Sequence, residues 1–204
     1  MEIPWLKHQQ WERKWHDTCI NSYQEETKQI VYARKMGLEL EGFIGKYPII
    51  DLEGKSVIDI GGGPYSLLLK TINGGRKLVV DPCAYPKWVY SRYKKAQIEF
   101  KKVKAEDYGT DLADEVWIYN CLQHTENPEL ILKNAREMGK IIRIFEWVNT
   151  EHTMGHPQVL NENQINEWLG GIGKAEDINE SGCYGRCYYG IFRGNHYQDY
   201  PQKA

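Results

Sequence analysis

The 204-residue sequence contains no apolar run of 18 or more residues, which excludes a spanning helix of ordinary length. It also lacks the apolar stretch of a secretory signal: its first residues, MEIPWLKHQQWERKW, are aromatic and charged. Cysteines are few and odd in number, at 19, 83, 121, 183 and 187, and no CxxC pair occurs. A disulfide framework is not expected, and a reducing, cytoplasmic setting is. No excess of one charge exists either. The 26 Lys and Arg nearly balance the 28 Asp and Glu, for a net charge of −2. A chain-wide basic surface for gripping long nucleic acid is therefore excluded. Internal repeats and low-complexity segments are absent as well.

What is present fits one domain with a sizeable core: 41% hydrophobic and 26% charged residues. Residues 1–50 read as a helical cap and 51–204 as the core. In the cap, His8, Trp11, Trp15 and Cys19 recur at helical spacing on one face. Ser22 to Glu25 has the spacing of a capping box that would start a second helix, and Gly37 is its expected stop.

From residue 55 onward short apolar runs alternate with helical segments. SVIDI (56–60), KLVVD (77–81), EVWIY (115–119) and KIIRIF (140–145) predict buried strands. SLLLKTIN, YPKWVYSRYKKA and NPELILKNAREM predict helices between them, the last capped by Asn127 with Pro128 in its first turn. This alternation implies a doubly wound, mostly parallel α/β sheet. Toward the C-terminus NENQINEWL predicts a helix. GKAEDIN and CYGRCYYGIF, joined by Ser-Gly, predict an antiparallel hairpin at a sheet edge. Cys183 and Cys187 share a face there and read as small buried hydrophobes.

The informative segment is VIDIGGGPYS, residues 57–66, expected to end a strand and open a helix. Gly61, Gly62 and Gly63 permit a tight turn and let a ligand approach bare backbone, and a helix start there would favour an anionic group. A dinucleotide fingerprint would need a third glycine where Ser66 stands. Asp81 closes the second strand, 22 residues past Asp59, where a carboxylate can accept from both hydroxyls of a ribose. The alternative is a tight turn that only packs a helix on the sheet.

Here the chain resembles the class I S-adenosylmethionine-dependent methyltransferases, over roughly residues 55–150. VIDIGGGP resembles their first motif and VVDP their second. KAEDYG (104–109) resembles their acidic patch after the third strand, and VWIYNCLQHTENPELIL (116–132) the fourth-strand motif of their small-substrate branch. The resemblance implies a seven-stranded sheet whose last strand is antiparallel, and S-adenosylmethionine as cofactor.

It also implies site residues. Asp59 would face the methionyl ammonium, directly or through water, unless it only bonds loop amides. Gly61, Gly62, Gly63 and Pro64 would form the backbone cradle, with Asp81 and Pro82 at the ribose. Glu106 and Asp107 would flank the adenine edge, Asp107 taking its amino group, unless they form a solvated acidic turn. Asn120, Cys121 and Gln123 would line the far side. His124 would lie near the transferred methyl as a catalytic base, or else cap the next helix. Glu146 is a second catalytic candidate, with a surface salt bridge as its alternative. Trp11, Trp15 and Tyr23 would form a lid or acceptor wall, or simply pack their helices. His152 and His156 have no third ligand at fitting spacing, so no metal is expected.

The first expectation for function is methyl transfer to a small-molecule acceptor. About 50 residues precede the core and little follows it, and the amino-methylating motif of nucleic-acid enzymes is replaced by Asn120-Cys121-Leu122-Gln123. RNA or protein methylation is the runner-up. Nucleic acid would be met through the basic stretch Lys87, Arg92, Lys94, Lys95, Lys101, Lys102 and Lys104, if that is more than a solvated face. A nicotinamide-dependent oxidoreductase and a catalytically silent binder of the cofactor complete the alternatives.

Overall fold

SVIDI, KLVVD, EVWIY and KIIRIF each supply a strand, because a position buried on both faces can absorb so many consecutive branched side chains. The computed structural model describes residues 5–16, 19–44, 47–109 and 111–199. Ten strands are found among them: β1 (Gly42–Ile44), β2 (Tyr47–Asp51), β3 (Val57–Ile60), β4 (Thr71–Ile72), β5 (Lys77–Val80), β6 (Glu99–Lys101), β7 (Ala113–Tyr119), β8 (Gly139–Trp147), β9 (Lys174–Glu180) and β10 (Cys183–Arg193). The helices are α1 (Trp5–His16), α2 (Cys19–Lys35), α3 (Lys87–Lys95), α4 (Pro128–Met138) and α5 (Glu162–Leu169).

Seven strands make the main sheet, in the order β6-β5-β3-β7-β8-β10-β9. Its first five members run parallel, and β10 enters antiparallel to both β8 and β9. The Ser181-Gly182 turn joins the last pair, both residues at positive φ (49° and 82°) as a tight hairpin turn requires. The expected sheet and its antiparallel hairpin are therefore found. Two apolar layers cover it. One packs Val31 and Tyr32 of α2, Met36 just after it, and Val89 and Tyr93 of α3 against Val57, Val79 and Trp117. The other packs Ile131, Leu132 and Ala135 of α4 and Ile165 and Leu169 of α5 against Ile58, Val116 and Ile142. Cys183 and Cys187 are buried in the α2 layer as expected.

Two local expectations are corrected. The second helix begins at Cys19, so the Ser22–Glu25 spacing lies inside α2 and does not start it. SLLLKTIN is no helix. It forms one 3₁₀ turn, Leu67–Lys70, and then passes into β4, which pairs with β2. Leu67 and Leu68 are fully buried beside the sheet, and β-branched Thr71 and Ile72 take the extended conformation they favour. α4 starts as predicted, Asn127 accepting from the Leu130 N–H with Pro128 in the first turn. Gly37 ends α2 at φ 68°.

Candidate active site

At the end of β3 the chain turns through Gly61 (φ 71°) and Gly63 (φ 60°), conformations that favour glycine. The turn is also close-packed. A Cβ on Gly61 would stand 2.5 Å from Cys121 Cβ, and one on Gly62 would stand 2.6 Å from Asp59 Oδ2. Above Gly63 the space is open, with nothing nearer than Tyr85 Oη at 3.9 Å. With no helix behind it, the loop is pinned by hydroxyls from the sheet and α3. Tyr93 donates to the Gly63 carbonyl (2.5 Å) and accepts from the Ser66 N–H (3.1 Å). Tyr119 accepts from the Leu67 N–H at 2.9 Å. From α2, Gln29 donates to the Tyr65 carbonyl.

Asp59 lies beneath this turn, fully buried. Its Oδ2 accepts from Ser66 Oγ and from Tyr119 Oη (2.5 Å), while Oδ1 has no partner among the described residues. Burial pushes its carboxyl up to about 7, against the pull of the two hydroxyl donors. Asp81, at the end of β5, accepts from the Gly63 N–H (3.1 Å), the Cys83 N–H (2.8 Å) and Tyr85 Oη (3.2 Å). Burial raises its pKa too. Glu106 Oε1 accepts from the N–H groups of Glu126 (2.9 Å) and Asn127 (3.1 Å), so its carboxylate anchors the entry to α4. Asp107 is exposed on the far side of that turn.

The segment after β7 is the second half of the site. Asn120 takes φ 49°, and Leu122–His124 form a 3₁₀ turn. Glu146 of β8 is fully buried beneath it. It accepts from the Cys121 N–H at both oxygens (3.0 and 3.2 Å) and from the Leu122 N–H (3.1 Å). Burial lifts its pKa to about 7 despite those donors. The expected surface salt bridge is therefore not found at Glu146; its carboxylate is bonded into the loop after β7.

His124 stands where strand end, loop and cap meet. Its Nδ1 bonds the Gly155 carbonyl and lies 3.0 Å from Glu12 Oε1 of α1, while Nε2 is 3.2 Å from Gln123 Nε2. The His156 ring packs edge-on at 5.1 Å. Burial opposes the charged form of His124, but Glu12 and the Gly155 carbonyl outweigh it and hold the pKa above the usual histidine value. Burial likewise opposes the Glu12 carboxylate, and His124, His16 and His156 together hold its pKa below normal.

These groups open onto one cavity of about 640 Å³, within the range of a small-molecule site. Gly61 to Pro64, Asp81, Pro82, Glu106, Asn120, Cys121 and His124 line it. Asp59, Asp107, Gln123 and Glu146 do not. α1 forms one wall of it with Trp5, Trp11, Glu12 and Trp15, Trp11 and Trp15 stacked at 5.4 Å. The Tyr23 side chain lies outside the described residues. Glu12 escaped the sequence reading, although His8, Glu12 and His16 recur at i, i+4 and so form a polar column beside the noted aromatic face. Tyr85, Tyr93 and Tyr119, the hydroxyls that shape the loop, left no local signal.

Comparison with known proteins then adds the fold. No protein-family model matches the sequence, and no curated protein matches it. Solved structures do. The putative methyltransferase of Haloferax volcanii, in complex with the Trm112 methyltransferase activator, superposes with a TM-score of 0.63 at 15% identity, over 93% of this chain and 98% of that one. DhpI, in a complex with SAH, gives 0.58 at 12% identity, over 94% and 98%. Magnesium protoporphyrin IX methyltransferase from Synechocystis PCC 6803 with bound SAM gives 0.56 at 16% identity, over 86% and 82%. The fold is that of the S-adenosylmethionine-dependent methyltransferases. In this methyltransferase fold the cavity lies beyond the carboxyl ends of β3, β5 and β7, where open α/β sheets receive ligands. Among the described residues no three His, Cys, Asp or Glu side chains are grouped as a metal site, and no helix is long and apolar enough to cross a membrane. Of the basic stretch, Arg92, Lys101 and Lys104 are engaged by Glu26, Asp111 and Glu126.

Proposed function

We propose that the chain is an S-adenosylmethionine-dependent methyltransferase acting on a small-molecule acceptor. The carrying observation is that the bare backbone of Gly63, the carboxylate of Asp81 and the imidazole of His124 open onto the same cavity. The residues suit the cofactor. Open space above Gly63 leaves room for a ligand against backbone, and Asp81, with Oδ1 already accepting from Cys83 and Tyr85, keeps one acceptor site at Oδ2 for a sugar hydroxyl. Ala105 and Glu106 border the base end, and Asn120 and Cys121 the opposite wall. Asp59 lies directly below the loop with one oxygen unpartnered among the described residues and does not line the cavity; an ammonium group bound above it would draw its carboxyl toward the charged form. Asp107 has no part in this arrangement.

When bound, the cofactor supplies an electrophilic methyl group on a sulfonium. The chain's residues then align the acceptor, exclude water and hold the acceptor's proton at His124. The α1 helix along one wall limits the acceptor to what fits beside Trp11 and Trp15, which favours a small molecule over a nucleic acid or protein. The engagement of Arg92, Lys101 and Lys104 by acids points the same way.

Titration calorimetry with S-adenosylhomocysteine and with NAD tests the reading. Heat with the first and none with the second is expected; the reverse would replace methyl transfer with a nicotinamide reaction. Mass spectrometry of copurifying molecules then gives the acceptor.

A further inference from the structure

Among the described residues of α1, His8 alone is buried, its Nδ1 bonded to the Met154 carbonyl (2.6 Å). Gln9 Oε1 accepting from Cys83 Sγ (2.9 Å), the Lys104 ammonium 3.9 Å over the Trp5 ring and the His16 ring edge-on to Tyr85 also hold the helix. It carries the only carboxylate in direct contact with the His124 ring among the described residues. We propose that Glu12 is a positioning residue that charges and orients His124, so that the packing of α1 beside the cavity completes the proton acceptor. This rests on the methyltransferase reading for its purpose, but not for its chemistry.

The hydrogen-bond network assigns the ring's resting tautomer from both ends. Glu25 of α2 is a carboxylate and can only accept, so Asn120 Nδ2 must donate to it (3.1 Å). Asn120 Oδ1 therefore faces Gln123 and accepts from its Nε2 (2.9 Å). The remaining amide hydrogen of Gln123 points to His124 Nε2, which must present its lone pair. At the opposite ring atom the Gly155 carbonyl can only accept, so Nδ1 carries the hydrogen. Neutral His124 thus carries its basic lone pair at Nε2, against the Gln123 amide, which must turn away as a proton is taken up; the imidazolium then sits against Glu12.

The groups facing this ring are Glu12 and, behind it, His16 on α1, Glu146 on β8, and His156 with Gly155 in the loop after β8. Glu146 is committed to the Cys121 and Leu122 N–H groups, and His156 opposes a second positive charge. Glu12 is the group whose position depends on α1. An acceptor with an O–H or N–H therefore suits this site. Its heteroatom lone pair forms the bond to the methyl carbon, the carbon–sulfur bond leaves its pair on sulfur, and the released proton passes to His124.

The test is histidine NMR on the full chain, following the His124 midpoint and the ¹⁵N shifts that report tautomer. In Glu12→Gln the midpoint should fall by about one unit, a roughly tenfold weaker hold on the proton, and Glu12→Asp should recover part of it. Gly155→Ala provides a second route with Glu12 intact. Its Cβ would come within 2.7 Å of the Trp11 ring, so the ring turns aside or α1 shifts, and where α1 shifts the midpoint should fall as well. Midpoints unchanged from wild type in both folded variants overturn the proposal, as does a neutral ring protonated at Nε2. Calorimetry on the same samples separates the two readings. S-adenosylhomocysteine binding with an unmoved midpoint removes Glu12 and leaves the methyltransferase, while a moved midpoint without binding does the opposite.

Discussion

Glu146→Gln should change stability in a direction that reverses with pH. The folded carboxyl titrates near 7 because it is buried, against 4.5 for an ordinary glutamate. Between those values the unfolded chain has released this proton and the folded chain has kept it. Stability therefore falls as pH rises through the window, by about 1.4 kcal/mol per unit for this one group, and levels off above pH 7. From pH 5 to pH 8 that amounts to about 3 kcal/mol. Glutamine abolishes the titration. It also forfeits one of the two oxygens that accept the Cys121 N–H, a loss of about 1 kcal/mol at every pH. The variant should be less stable than wild type at pH 5 by about 1 kcal/mol and more stable at pH 8 by about 2 kcal/mol. Urea denaturation of both proteins across that range measures the difference directly. Taking the difference cancels the slopes of other groups that titrate in this range, such as Asp59, whose buried carboxyl is likewise pushed up to about 7. A difference that stays constant from pH 5 to pH 8 would refute the argument that burial outweighs the neighbouring donors and His124 at Glu146.

Asp81→Ala should weaken S-adenosylhomocysteine binding by about 1–3 kcal/mol in calorimetry, through lost charge-assisted hydrogen bonds; unchanged affinity would remove Asp81 from the site. Gly61→Ala forces a Cβ against Cys121 and strains a positive φ, so the melting temperature should drop and the same binding disappear. His124→Ala should leave S-adenosylhomocysteine affinity nearly intact while lowering methyl transfer to the identified acceptor about 10²-fold or more. A large loss of binding would make it structural.

The sheet was legible because its strands are local: VIDI, KLVV and the run through Tyr119 announce burial on both faces by composition alone. The loop glycines and Asp81 were legible for a related reason, being fixed in spacing to those strands. The limits appear where distant groups decide. SLLLKTIN carries helix-favouring leucines, but Leu67 and Leu68 are drawn onto the sheet and Ile72 is claimed by β2. Glu106 and Asp107 are neighbours in one acidic turn, and only the position of the α4 entry shows which one is held and which faces solvent. Glu12 meets His124 across 112 residues, a contact that no local pattern encodes.

The single turn that follows the glycine loop has a consequence for what the cavity can distinguish. A full helix there would present a partial positive charge of about half a unit toward the loop. One 3₁₀ turn, already capped by its own Ser66, offers almost none. An anionic tail on the ligand gains no long-range electrostatic pull at that end, and salt should barely screen its capture. Recognition at that end is left to contact and contour.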